Sequence, residues 1–153
     1  MNEPGPGQVL FAFVRHWSRR SAAGDSAVAE QGRLVLVTEA VHSLATRGIP
    51  ATVNAVGEEI GIDQSGASRL IRNATEAGYL TMRAPDTDGR RRHATVTAAG
   101  HALLERAHEW QEQVFDRLTD GWSRQRRRDF QQAMQDLIVA SYASTAVRTE
   151  PRA

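Results

Sequence analysis

Five side chains between residues 65 and 73 share the chemistry of base-edge recognition. Ser65, Ser68, Arg69, Arg72 and Asn73 recur at spacings of three and four, which places them on one face of a helix. Arginine can chelate guanine through O6 and N7, and asparagine can do the same to adenine through N6 and N7. Ser65 and Ser68 are short enough to let the backbone come close to phosphate. Gly66 lies among them and costs about 1 kcal/mol of helix stability relative to alanine. It either permits a closer approach to the DNA backbone or is tolerated. About fifteen residues further on, Asp86-Thr87-Asp88-Gly89-Arg90-Arg91-Arg92 forms an arginine-loaded turn that can reach phosphates or the adjacent minor groove. Together these features point to sequence-specific binding of double-stranded DNA.

A face of this kind is useful only if neighbouring elements hold it rigidly. Asp63 is placed to cap a helix running to Ala77, with Gly78 as its stop. Ala67, Leu70, Ile71 and Ala74 form its inward side. A shorter helix precedes it, capped by Thr52, with Val53, Val56 and Ile60 inward and Gly61 closing it. Two short helices joined by Gly-Ile-Asp have the shape of a helix-turn-helix. Tyr79 to Arg83 and His93 to Val96 can then pair as a hairpin across the arginine-rich turn.

Longer helices flank this unit. Val9, Leu10, Phe13, Val14 and Trp17 give Gln8–Arg19 a wide apolar face, and Leu34, Val37, Val41 and Leu44 do so for Val28–Thr46. Ser21 to Ser26 is expected to be a linker or a broken helix end. Thr97 is placed to cap a helix over Ala98–Leu118 with a stripe of Leu103, Ala107, Trp110, Val114 and Leu118. After Gly121 a last helix is expected over Ser123–Tyr142, presenting Phe130, Met134, Leu137, Ile138 and Ser141. Residues 1–7 are expected to be a disordered lead and 146–153 a flexible tail. The fold class is mostly α with a small β element (α+β).

The 153-residue chain carries a formal net charge of only +1, which argues against a histone-like basic coat. Charge placement is more telling: Gln64–His93 holds six arginines against three acids. The absence of cysteine removes disulfides, thiolate metal sites and thiol nucleophiles, and it fits a reducing cytoplasm. Val9 to Val14 is too short to span a bilayer, and no basic segment precedes it as in a signal peptide. A cytoplasmic protein without membrane contact is expected. Gly-x-Ser-x-Gly, Gly-x-x-x-x-Gly-Lys and His-Glu-x-x-His are all absent, so no enzymatic activity, cofactor or metal is expected.

Two further clusters favour plainer readings. Arg124 and Arg126-Arg127-Arg128 open the last helix, where positive charge opposes the helix dipole. A solvated face or salt bridges at a dimer rim is preferred there to phosphate contact. His101, Glu105, His108 and Glu112 stack on one helical face like metal ligands. That face lies nearly opposite the apolar stripe of its own helix, so open solvent is expected around it.

Asp88-x-Arg90, followed by Thr95-Val96-Thr97 and Gly100, resembles the wing signature of MarR-type winged helix-turn-helix regulators. Ser68-Arg69-Leu70-Ile71 and Gly78-Tyr79-Leu80 are similar to that family's recognition helix and its exit. The likeness covers roughly residues 30 to 140 once helix order is included, and its sharp part is 63–100. It implies a winged helix-turn-helix lobe at 31–97 with a two-stranded β-wing. Residues 8–30 and 98–145 would be dimerisation helices, with the first, fifth and sixth helices forming the interface. The dimer would place two recognition helices in successive major grooves about 34 Å apart. Arg90 would be the wing's groove contact and Asp88 its holder, with Arg91 and Arg92 extending the charge. Trp17, His42 and Trp110 lie on helices that line a small-molecule pocket in such proteins. The expectation is therefore a homodimeric regulator, as a repressor, of a pseudo-palindromic operator, released by a small aromatic effector. An architectural DNA-binding protein without ligand response and a winged-helix module for protein–protein contact are the alternatives.

Overall fold

Local capping chemistry sets most of the element boundaries. The computed structural model describes residues 3–22, 26–84 and 92–148. Its elements are α1 (Pro6–Ala22), α2 (Ser26–Thr46), α3 (Val53–Ile60), α4 (Gln64–Glu76), β1 (Leu80–Arg83), β2 (His93–Val96), α5 (Ala98–Leu118) and α6 (Arg124–Arg148). Helix α1 begins at Pro6, two residues before the expected start. Proline lacks an N–H that the first turn cannot use anyway, and its fixed φ suits that position. Helix α6 continues to Arg148, past the expected end and into the segment read as a tail. No glycine or proline interrupts the run until Pro151.

The chain divides into two compact units, Met1–His108 and Glu109–Ala153. In the first, α2 is the central support. Val37, Ala40, Val41 and Leu44 are buried against Ala51, Val56, Ile71, Ala74, Leu80 and Ala94, and Leu34 packs on the edge of that cluster. Strands β1 and β2 pair antiparallel in the register Leu80↔Val96, Thr81↔Thr95, Met82↔Ala94 and Arg83↔His93. Ala51, in the segment between α2 and α3, adds an isolated antiparallel bridge on the other edge of β2, through Ala94 N–H to its carbonyl at 2.9 Å. Glu59 of α3 accepts from Ser43 and pairs with Arg47, fixing α3 to the end of α2. Helix α1 leaves Val9, Leu10, Phe11, Phe13 and Val14 exposed within the single chain.

In the second unit, Phe115 stacks on Phe130 with centroids 6.3 Å apart, and Trp122 meets Phe130 edge-on at 5.6 Å. Two arginines of the cluster, Arg126 and Arg127, belong to this packing. Arg127 donates to Asp116 at 2.5 Å and to the Thr119 carbonyl at 3.1 Å. Arg126 lies 4.0 Å over the Trp122 ring, and Arg128 bonds Gln125. Arg127, whose charge opposes the dipole of α6, thus satisfies a carbonyl at the end of α5, where a cation is favoured. Among the described residues, no helix is long and apolar enough to cross a membrane.

Candidate nucleic-acid interface

Helix α4 carries the site, and its geometry follows from three local features. Asp63 accepts from Gly66 N–H at 2.9 Å, filling one of the orphan donors of the first turn. Ala67, Ile71 and Ala74 are buried, so the small inward side chains bring α4 close to α3. Gly57 on α3 makes that approach possible: a Cβ there would lie 3.0 Å from the Ile62 carbonyl and 3.5 Å from Ala67 Cβ. At the far end Gly78 adopts φ +84° and turns the chain into β1.

The outward face is as the spacing implies. Ser65, Ser68, Arg69 and Arg72 are exposed, while Gly66 and Asn73 are half-buried. At about 100° per residue Arg69 sits mid-face, with Ser65, Arg72 and Ser68 to one side and Asn73 and Gly66 to the other. The second edge borders a groove of about 500 Å³ lined by Glu30, Arg33, Ile62, Asp63, Gly66, Arg69, Leu70 and Asn73. The α2 residues in this wall, Glu30 and Arg33, were not among the residues expected at the site. They lie more than thirty positions away in the sequence, and no local signal marks them.

The antiparallel pair is anchored beside α4 by Thr97. Its hydroxyl donates to the Gly78 carbonyl at 2.6 Å and accepts from Gly100 N–H at 3.0 Å, capping α5 as expected. Thr97 N–H also donates to the Tyr79 carbonyl, and Tyr79 N–H donates to the Ala74 carbonyl of α4. The end of α4, the strands and the start of α5 are therefore one hydrogen-bonded junction. Arg92 is exposed immediately before β2. Asp88, Arg90 and Arg91 lie outside the described residues.

His101, Glu105, His108 and Glu112 on α5 are all exposed, as expected, and the two histidines also reach side chains of α2. His108 Nε2 is 2.8 Å from Glu39 Oε2, and the His101 and His42 rings meet edge-on with centroids 5.7 Å apart. The spacing along α5 carries no information about these two contacts to α2. Among the described residues, no three His, Asp or Glu side chains converge to hold a metal. Trp17 is half-buried against Phe13 and His16, His42 is half-buried, and Trp110 is exposed. None of the three lines the groove beside α4.

The arrangement can present a rigid, cationic helix face with a two-stranded element beside it. Residues 37–91 match the model of the MarR family. The crystal structure of MarR superposes with a TM-score of 0.70 at 16% identity, covering 95% of this chain and 97% of that one. A single-residue mutant of MepR from S. aureus gives 0.61 at 15% identity, with coverages of 86% and 96%. BpsR of Bordetella bronchiseptica gives 0.54 at 21%, with coverages of 85% and 98%. That structure is described as addressing how 6-hydroxynicotinic acid regulates BpsR's binding to DNA. At these identities the likeness is one of fold. No match was found among curated proteins.

Proposed function

We propose that the chain is a MarR-type winged helix-turn-helix transcription regulator that binds a pseudo-palindromic operator as a homodimer and represses transcription. The observation that carries this reading is the division of α4. Its alanine-rich side is buried, and its Ser, Arg and Asn side is presented outward by caps at both ends. In this reading Arg69 and Asn73 read base edges, Ser65, Gly66, Ser68 and Arg72 lie against the major-groove walls, and Asp88, Arg90, Arg91 and Arg92 form the wing contact. Exposed apolar residues on α1, together with Leu137, Ile138 and Val139 on α6, are the surfaces a second copy would cover.

Release by a small aromatic effector completes the proposal, by analogy with the regulation described for BpsR. Trp17, His42 and Trp110 are its candidate contacts. A ligand shifts operator binding only by its differential affinity for the binding and non-binding forms of the dimer. A thermal-shift screen of aromatic acids, followed by operator release, tests this part.

The DNA reading is tested by three variants measured on a duplex selected from random sequence by the parent protein. Arg90→Ala should weaken binding to all duplexes and flatten the salt dependence. Arg69→Ala and Asn73→Ala should each relax base preference at particular positions, by about 1–3 kcal/mol. Parental binding and specificity in all three would show that α4 is not the reading face.

A further inference from the structure

The groove between α2 and α4 joins the proposed reading face to a charged pair that faces the same space. Arg33 on α2 donates through Nε and Nη2 to one oxygen of Glu30, at 3.1 and 2.6 Å. The two side chains remain 50% and 43% exposed, so neither is locked into the core. The charged groups lining the groove are Glu30, Arg33, Asp63 and Arg69. Asp63 is engaged as the cap of α4, and Arg69 occupies the middle of the outward face.

A helix with its side chains is about 10–12 Å across, and the major groove of B-DNA is about 12 Å wide. A helix seated there has a sugar–phosphate strand along each flank. On the Asn73–Gly66 edge of α4 that flank is this groove, and α2 supplies its far wall. A guanidinium held by a single carboxylate oxygen has the planar fork that phosphate accepts bidentately.

Building on the operator-binding reading, we propose that this groove receives one phosphodiester strand and that Arg33 clamps it by exchanging Glu30 for a phosphate. In the free protein Glu30 holds the guanidinium in place of the phosphate. Glu30 thereby opposes binding to every duplex, and the contact carries affinity without reading sequence.

The test uses the full-length chain and two probes: a duplex selected from random sequence by the parent, and a duplex of unrelated sequence. Binding is followed by fluorescence anisotropy across a salt titration. Arg33→Ala should weaken both duplexes roughly ten-fold and make the slope of log K against log salt shallower by about 1.8 for the dimer, 0.9 for each phosphate. Glu30→Gln should tighten both duplexes several-fold, and that gain should vanish in the Arg33→Ala background. Arg33 is exposed and Glu30 half-buried at the surface, neither belongs to the core, and unfolding temperatures should match the parent. A parental slope in Arg33→Ala, or a Glu30→Gln gain that survives without Arg33, overturns the clamp while leaving the regulator reading intact. Failure of the parent to select any duplex overturns both.

Discussion

Two glycine-to-alanine exchanges on helices of the same unit should move stability in opposite directions. At Gly100, in the first turn of α5, an added Cβ would lie 2.2 Å from the Tyr79 carbonyl oxygen and 2.7 Å from Val96 Cγ1. The carbonyl contact is more than 1 Å inside ordinary van der Waals separation. The obstruction is backbone that already accepts from Thr97 N–H at 3.0 Å, so it cannot swing aside as a side chain would. Overpacking of this kind costs about 1–3 kcal/mol. Straining the Thr97–Tyr79 bond adds about 1 kcal/mol, and the better helix propensity of alanine returns at most about 1 kcal/mol. The net is a loss of about 2 kcal/mol, or roughly 4–8 °C in unfolding temperature for a chain of this length. At Gly32, seven residues into α2, an added Cβ would meet nothing within 4 Å, and the backbone has no positive φ. Gly32→Ala should therefore gain up to about 1 kcal/mol. Thermal unfolding followed by circular dichroism, at one fixed protein concentration because the proposed dimerisation would shift the midpoint, measures both. A Gly100→Ala protein as stable as the parent would refute the close-approach argument at the Thr97 junction.

The cap of α4 offers a coupled pair. Asp63→Ala should cost about 1 kcal/mol. Gly66→Ala alone should leave stability nearly unchanged, because its Cβ would sit 2.8 Å from Asp63 Oδ1 and displace the cap while improving the helix. In the Asp63→Ala background the same exchange should recover about 1 kcal/mol, since nothing remains to displace; denaturant titration of the four proteins measures the coupling, and strict additivity would contradict it. In the second unit, Arg127→Met removes the donor to Asp116 and to the Thr119 carbonyl. Faster amide exchange should appear in the last turn of α5 and the first of α6, while α2–α4 keep parental protection. Uniform acceleration over the whole chain would show that Arg127 is not a local fastening.

Features set by neighbours in sequence were legible. Thr52, Asp63 and Thr97 cap the helices they precede, each through an acceptor three residues from its donor. The inward residues of α4 were readable because helical periodicity separates Ala67, Ile71 and Ala74 from the serines and arginines. Gly100 stood out through a family resemblance, but its physical reason is the Tyr79 carbonyl, which no local pattern reveals. The features that escaped are long-range. Glu39 meets His108 across 69 positions, Ala51 bridges to Ala94, and Glu30 and Arg33 reach the flank of α4 only because α2 packs beside it. Periodicity ranks the faces of one helix and carries no information about which other helix lies against them. For the same reason the sequence could not show that Asp116 and the Thr119 carbonyl receive Arg127, or that Arg126 lies over Trp122.

The outward face of α4 is proposed to read DNA as one half of a two-fold dimer. A footprint on the DNA flanking the protein's own gene tests it most directly. Two protected, inversely repeated half-sites are expected, with centres about 34 Å, or one helical turn, apart. Protection should be lost at particular bases in Asn73→Ala and Arg69→Ala. No protection, or uniform protection without dyad symmetry that these exchanges leave unchanged, would contradict it.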